Sequence, residues 1–252
     1  YQKTKNHLGI DGDAFNKRAV ALSMPSITLG YAAKTDDRFG GRNFANLTLQ
    51  SNFAGKYGAS EKIDFIENDG AYSEGDFLLA KLQLARIQRL FAGPEAPGKW
   101  SLFGKVEAQL ADDSLPGAAR DYLGGFNSVR GYEESEIGGD NSVIGTLELR
   151  TPLLTNFIPG LKKDDEFLQN NPKYWGQHRL QFVAFTDYAY VNNERPYPGE
   201  YKNQDMWSVG LGLRLGLTNY SQMSLDYGYP IIEASSDTPS AGRFHISLQL
   251  QF

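Results

Sequence analysis

The sequence predicts an all-β protein, and three observations favour an antiparallel β-barrel that spans a membrane. Apolar and polar residues alternate along most of the chain, in segments long enough to form strands. The sequence has no run of about 18 to 20 apolar residues, so a membrane-spanning helix is not expected. Glycine (27 residues) and aromatic residues (13%) are both abundant, as in barrel strands with aromatic girdles. A soluble β-sandwich has the same alternation, so periodicity alone leaves both folds open.

The first half of the chain contains four predicted strand regions. They are residues 15–31, 44–53, 77–90 and 101–110. The first region is interrupted at Pro25, because proline has no N–H group for the hydrogen-bond ladder. Residues 54–76 are rich in glycine and acidic side chains, which predicts a long exposed loop.

The second half carries the most regular alternation. The predicted strands are residues 143–150, 181–191, 207–217, 223–229 and 244–252. A short turn at residues 218–220 contrasts with longer connections at residues 192–205 and 230–242, an asymmetry that is typical of outer-membrane barrels. If short turns alternate with long loops, the connection at residues 151–179 should be another short turn. It is much longer than a turn, and we interpret it as an insertion.

The bulk chemistry favours no metal, no cofactor and no enzyme. A net charge of −5 and a mean hydropathy of −0.45 give no reason to expect nucleic acid as a partner. Without cysteine, neither a disulfide nor a thiolate metal site can form. The three histidines, His7, His178 and His245, make no pair with metal-ligand spacing. His245 and Ser247 share one strand face, as in a barrel phospholipase, but no acid or oxyanion motif accompanies them, which favours a polar wall.

A glycine-rich segment with one central arginine is the most distinctive part of the chain. Residues 121–141 contain the sequence Gly-Gly-Phe-Asn-Ser-Val-Arg-Gly-Tyr, which begins at Gly124 and ends at Tyr132. Glycine enters positive-φ conformations without steric cost, which predicts a compact folded-back loop. Arg130 keeps its charge at all relevant pH values, so burial of this loop would require an acidic partner.

Alternation within the strands places two acids where such a loop could meet them. If the apolar residues of strands 143–150 and 181–191 face lipid, Glu148 and Asp187 point into the lumen. A buried arginine bound by a carboxylate is strongly oriented but costly to desolvate, so the loss of either partner should be damaging.

These motifs together resemble an outer-membrane barrel superfamily. It includes the two-partner secretion (TpsB-type) transporters and the central subunit of the barrel assembly machinery. The likeness covers residues 122–252 and is specific at Val-Arg-Gly-Tyr, at Phe185-Thr186-Asp187 and at the aromatic C-terminus. It implies a loop-to-wall contact and a C-terminal insertion signal. The contact would comprise Val129, Arg130, Gly131 and Tyr132 with Glu148, Phe185 and Asp187, and the signal Phe244, Ile246, Leu248, Leu250 and Phe252.

The resemblance also implies an architecture and a function. Residues 1–252 would be the C-terminal part of an outer-membrane barrel of roughly sixteen strands. Earlier strands and periplasmic polypeptide-transport-associated (POTRA) domains would precede them in a longer precursor. The expected function is export of an unfolded partner exoprotein across the bacterial outer membrane, of the hemolysin secretion-activation type. Expected partners are that client, outer-membrane lipid and the barrel assembly machinery during biogenesis. The alternatives are a barrel-assembly factor of the same superfamily, a passive porin or barrel enzyme, and a soluble sandwich adhesin.

Overall fold

The computed structural model describes most of the chain and shows an antiparallel sheet with one short helix. The described residues are 3–5, 21–24, 27–68, 72–73, 75–90, 100–155, 157, 178–196, 199–218, 221–235 and 238–250. The strands are β1 (Lys3–Lys5), β2 (Ala21–Ser23), β3 (Ile27–Asp36), β4 (Gly41–Asn52), β5 (Phe77–Arg89), β6 (Ser101–Ala111), β7 (Asp121–Leu123), β8 (Ile137–Gly139), β9 (Asn141–Arg150), β10 (Leu154–Thr155), β11 (Arg179–Asn192), β12 (Asn203–Thr218), β13 (Ser221–Pro230) and β14 (Arg243–Leu250). The helix α1 is Lys62–Asn68. Among these residues, no helix has both the length and the apolar character needed to cross a bilayer.

Nine strands follow one another across the main sheet as an up-and-down antiparallel series. Their spatial order is β3, β4, β5, β6, β9, β11, β12, β13 and β14, and the short β10 also pairs with β11. The hairpin of β7 and β8 lies within the connection from β6 to β9. Within the described part of the chain, β3 and β14 are the two edges of this sheet.

The two faces of the sheet have opposite chemistry, and the apolar face is the exposed one. Large apolar side chains on this outer face are 38–69% exposed on strands from one edge to the other. Examples are Leu29, Leu49, Leu84, Val106, Leu147, Val209, Leu211 and Ile246. The inner face buries charged residues, including Glu148, Asp187 and Asp226. This inverts the pattern of a soluble protein and fits a wall with lipid outside and a polar lumen inside, which rules out the soluble sandwich.

The connections divide between the two ends of the sheet as the strand order requires. One end, here called the turn end, has the connections from β3 to β4, β5 to β6, β9 to β11 and β12 to β13. The other, the loop end, has the connections from β4 to β5, β6 to β9, β11 to β12 and β13 to β14. The insertion predicted at residues 151–179 lies mostly outside the described residues.

The strand predictions are confirmed for the described residues, with one correction. Residues 15–20 and 25–26 of the first predicted strand region, which include the predicted interruption at Pro25, lie outside the described part, as do residues 251–252 of the last region. Residues 54–76 were predicted to be a long exposed loop, which is wrong for residues 62–68, because they form α1. Phe65 of this helix is fully buried and packs where Gly75 has no side chain. One buried aromatic ring therefore anchors the segment, although its composition suggests an open loop.

Candidate functional site

The connection between β6 and β9 folds inward over the inner face of the sheet. Its hairpin stem is formed by β7 and β8, with Tyr122 paired to Gly138. Its apolar side chains join those of the wall in one buried cluster. The cluster contains Leu123, Val129, Tyr132 and Ile137 from the loop, and Ile144, Ala189, Val191 and Met206 from β9, β11 and β12. Hydrophobic packing therefore holds the loop inside, and Arg130 is carried with it.

The turn that presents Arg130 depends on three glycines in the left-handed region. Gly124, Gly125 and Gly131 have φ values of 116°, 88° and 101°. The Gly125 N–H donates to the Val129 carbonyl at 3.1 Å, which closes the turn. L-residues with side chains rarely adopt these values, so the sequence folds back here because glycine occupies these positions.

Arg130 is buried and meets carboxylates from three strands. Its Nε and Nη2 lie 2.7 and 2.9 Å from the two carboxylate oxygens of Asp187 on β11, a bidentate pair. Its Nη1 lies 2.7 Å from Glu148 on β9 and 3.5 Å from Asp226 on β13. The guanidinium carbon lies 3.5 Å from the centre of the Phe185 ring. Arg130 is 5% exposed and Asp187 is fully buried, so water contributes little to solvating either charge.

Two further arginines complete the charge balance around these acids. Arg150 donates to Glu148 Oε2 at 2.8 Å through Nε, and Arg214 donates to Asp226 Oδ1 at 2.5 Å through Nη1. Three arginines thus face three carboxylates, and each acid has a bonded cation. Every ionised group in this cluster is compensated, which burial of so many charges requires.

The same contacts show that the sheet is curved around the loop. In a flat sheet β9 and β13, with β11 and β12 between them, would lie ~14 Å apart. Side chains stand roughly perpendicular to a sheet, so Glu148 and Asp226 would not converge from a flat one. Both nevertheless lie within 3.5 Å of one nitrogen of Arg130. The inner face is therefore concave, as in the wall of a barrel.

Backbone contacts fix the loop as closely as the charges do. Gly131 passes so near Gly228 on β13 that an added Cβ on Gly228 would lie 2.6 Å from the backbone of Arg130 and Gly131. The Gly131 N–H donates to His245 Nε2 on β14 at 2.9 Å. A ring nitrogen that accepts a hydrogen bond carries no proton, so His245 is neutral in this arrangement. This histidine forms part of the wall that receives the loop, consistent with a polar wall.

Tyr132 joins the loop to β12 and to the connection that follows β13. Its hydroxyl accepts from the Trp207 N–H at 3.0 Å and lies 2.7 Å from the Ile232 carbonyl oxygen, to which it can donate. The ring is fully buried in the apolar cluster. Tyr132 therefore satisfies polar backbone groups of β12 and of the loop that follows β13.

We expect the Tyr132→Phe variant to lose about 1–3 kcal/mol of unfolding free energy, because the Trp207 N–H and the Ile232 carbonyl lose a buried partner. Urea unfolding of the purified protein in detergent, followed by tryptophan fluorescence, measures this loss. Tyr122→Phe removes the same hydroxyl from a side chain that is 51% exposed, and it should leave the unfolding midpoint unchanged. Equal midpoints for both variants would contradict the assigned role.

The base of the loop is fixed by the buried Asp140 just before β9. Its carboxylate accepts from the Leu115 N–H at 2.9 Å and from the Glu194 N–H at 3.0 Å. Burial raises the pKa of this carboxyl above its usual value, and the two N–H donors act in the opposite direction. Asp140 thereby ties the start of its own connection, at Leu115, and the neighbouring connection from β11 to β12, at Glu194, to the stem of the inward loop.

The structure brings together all seven residues that the resemblance assigned to the loop-to-wall contact. Asp226, Arg214, Arg150, His245 and Gly228 also belong to this site, and sequence reasoning did not find them. The alternation along their strands, which directs these side chains to the inner face, is the sequence feature that could have identified them.

The residues assigned to the C-terminal signal lie outside this site. Phe244, Ile246, Leu248 and Leu250 lie on the outer face at the β14 edge and are 52–68% exposed, and Phe252 is not among the described residues.

The site contains buried acids and bases but nothing arranged for a metal ion. In the described ranges, no group of three or more histidine and acidic side chains is placed to hold one. What the arrangement provides is a reversible attachment, formed by charge-assisted hydrogen bonds, of a loop to the inner wall.

A concave antiparallel sheet, apolar outside and polar inside, with a loop folded against its inner face, defines an outer-membrane β-barrel protein. Residues 95–252 match the Omp85 superfamily domain, and the chain belongs to that superfamily. The family resemblance predicted from the motifs is thereby confirmed, and the protein is located in the bacterial outer membrane.

Two solved structures share the fold. CdiB from Escherichia coli superposes with a TM-score of 0.66 at 17% identity, over 91% of this chain and 37% of that one. BamA from Haemophilus ducreyi, in a crystal structure lacking POTRA domains 1–3, superposes with a TM-score of 0.55 at 17% identity, over 89% of this chain and 42% of that one. The chain thus spans about two fifths of the length of each. No curated protein sequence matches it.

Proposed function

We propose that this chain is the C-terminal barrel part of a two-partner secretion transporter that exports an exoprotein across the outer membrane. The observation that carries the proposal is the buried contact of Arg130 with Asp187, Glu148 and Asp226, which holds a loop inside a polar lumen. Breaking one partner of such a buried set is strongly destabilising, so the contact holds the loop in one arrangement.

In this mechanism the loop shapes the lumen, and no covalent step is required. The polar inner face gives an unfolded polypeptide a path along which its backbone can stay hydrogen-bonded to water and to side chains. The likeness to CdiB supports export, and the shared superfamily supports POTRA domains in the whole protein. A partner of the hemolysin type and the barrel assembly machinery during biogenesis belong to the same proposal.

The second candidate is insertion of other proteins into the outer membrane. The likeness to BamA favours it. The two candidates differ in what fails when the protein is removed: export affects one client, whereas assembly affects outer-membrane proteins generally.

Deletion of the gene distinguishes between these two candidate functions. The gene is deleted in its own host, and two quantities are measured: the exoprotein encoded beside it, in the medium, and the major outer-membrane proteins, in the envelope. We expect the exoprotein to disappear from the medium while the envelope proteins keep their levels, and complementation to restore export. A general loss of envelope proteins would instead establish the assembly role, and unchanged export would exclude secretion of that client.

A further inference from the structure

The inner wall is strongly basic on one side of the loop-to-wall contact. Between that contact and the turn end, the inner face of the described strands carries six basic side chains. They are Lys34, Arg42, Arg89, Arg150, Arg179 and Arg214. Beyond the acids of the contact itself, Asp36 is the only acidic side chain on this part of the described inner face, and it is paired with Arg42 at 2.7 Å.

Among the described residues, three of these six cations have no acid within salt-bridge distance. Arg150 and Arg214 are neutralised by Glu148 and Asp226, as described above. Lys34 faces the Phe44 ring at 5.8 Å, and within the described ranges neither Arg89 nor Arg179 has an ion pair. On β3, β4 and β5 one acid, Asp36, interacts with the three cations Lys34, Arg42 and Arg89. Positive charge is therefore in excess on this part of the described inner face, and Arg179 adds to it from β11.

The charge reverses at the loop end. The described connections there, residues 53–68, 72–73, 75–76, 112–140, 193–196, 199–202, 231–235 and 238–242, contain fourteen acidic side chains and six basic ones. The whole chain has a net charge of −5, but the charges are distributed unevenly. The described inner face at the turn end is basic, whereas the described connections at the loop end are acidic. A lumen with low-dielectric walls focuses such a field, so an anion is attracted specifically to the turn end.

The shape of the wall at the basic end suits an extended chain better than a compact ligand. Gly216 lies across from Arg179, and Gly212 lies beside Arg214, so these arginines rest along the wall with no side chain beneath them. Polar Gln181, Gln222 and Ser224 continue the same face. Lys34 and Arg89 lie on β3 and β5, and Arg179 lies on β11, so these cations are spread around the turn end of the wall. There they can contact acidic residues spaced along one extended polypeptide.

We propose that this basic face, made of Lys34, Arg89, Arg179 and their neighbours at the turn end, binds acidic segments of the unfolded client. The inference rests on the proposed export function and names the class of client segment that the lumen binds. Export then requires the segment to leave a cationic surface, so binding is weak and salt-dependent.

Peptide binding to the purified protein in a neutral detergent tests this directly. The probe is a fluorescein-labelled peptide of about 20 residues made of Glu, Gly and Ser, and the control peptide has Gln in place of Glu. We expect fluorescence anisotropy to show binding of the Glu peptide only. Affinity should fall about tenfold or more when salt rises from about 50 to about 500 mM.

A matched pair of variants locates the binding. The triple variant Lys34→Gln, Arg89→Gln, Arg179→Gln removes three cations from the turn end, and Lys56→Gln, Arg195→Gln, Lys202→Gln removes three from the loop end. We expect the first variant to lose about tenfold in affinity and the second to bind as the unchanged protein does. Circular dichroism of both variants confirms that they are folded before binding is compared.

Several results would overturn the inference while leaving the export function standing. These are equal binding of the Gln peptide, an equal loss in the two triple variants, and full displacement of the peptide by glycerophosphoglycerol, which would identify a lipid headgroup site. Peptide binding as expected, together with wild-type secretion in the deletion strain, would refute the export proposal and leave the acidic-peptide site established.

Discussion

The Arg130→Ala variant is expected to insert into the outer membrane, lose about 3–5 kcal/mol of stability and export little exoprotein. Truncation removes the bidentate partner of Asp187, which is fully buried, and leaves Glu148 and Asp226 with one cation fewer. Uncompensated buried charge costs about this amount, whereas the intact pair adds less to stability. A change of this size shifts the attachment of the loop by about a hundredfold or more.

Three measurements on the Arg130→Ala variant report its folding, its stability and its export activity. Heat-modifiable migration on gels reports whether the barrel has folded, urea unfolding in detergent reports stability, and exoprotein in the medium reports export. Proteolysis within residues 124–136 should become faster, because the loop leaves the wall. Arg130→Lys keeps the charge but not the planar bidentate fork, so its export should lie between those of Arg130→Ala and the unchanged protein.

Arg195→Ala is the matched control for the same truncation. Arg195 bonds Asp113 at the loop end with both side chains more than a third exposed, and such a surface pair is worth about 0–1 kcal/mol. Its export should be unchanged. If Arg130→Ala folds normally and exports at the wild-type rate, the loop-to-wall contact has no part in transport.

The Gly228→Ala variant is expected to damage the same contact without changing any charge. The new Cβ would lie 2.6 Å from the carbonyl carbon and oxygen of Arg130 and from the Gly131 nitrogen, all of them backbone atoms. Backbone cannot move aside by a rotamer change, so the loop must shift away from β13 or the sheet must open. Overpacking of this kind costs about 1–3 kcal/mol, and loss of the Gly131 hydrogen bond to His245 adds to it.

Gly145→Ala provides the control for Gly228→Ala, because it makes the same substitution in a neighbouring part of the barrel. A Cβ at Gly145, on the outer face of β9, meets no atom within 4 Å, and Gly145 is not among the glycines with positive φ. It should keep wild-type stability and export. In the double variant with Arg130→Ala, Gly228→Ala should add much less than it does alone, since both release the same loop. Full additivity would mean that the two residues act on separate structures.

Much of the fold could be predicted from the chain because a strand's alternation specifies which face each side chain occupies. Asp187 alternates with Tyr188 on β11, and Glu148 with Leu149 on β9, so local sequence is enough to put both acids inside. The glycines at 124, 125 and 131 predict a folded-back loop for an equally local reason. Helix α1 was not predicted, because it is anchored by the buried Phe65 ring. That ring packs in the space left by the missing side chain of Gly75, which lies outside the helix.

By itself, then, the sequence determined the alternating strands, the inward direction of Glu148 and Asp187 and a glycine turn that carries one permanent cation. Only the tertiary structure decided that Asp226 from a third strand, Arg150 and Arg214 join that cation, and that His245 and Gly228 receive the backbone of the loop. The physical reason is how far apart in the sequence the residues that determine each feature lie. Parity is a property of neighbouring residues, whereas the meeting of β9, β11, β13 and β14 at one point depends on the curvature of the whole sheet.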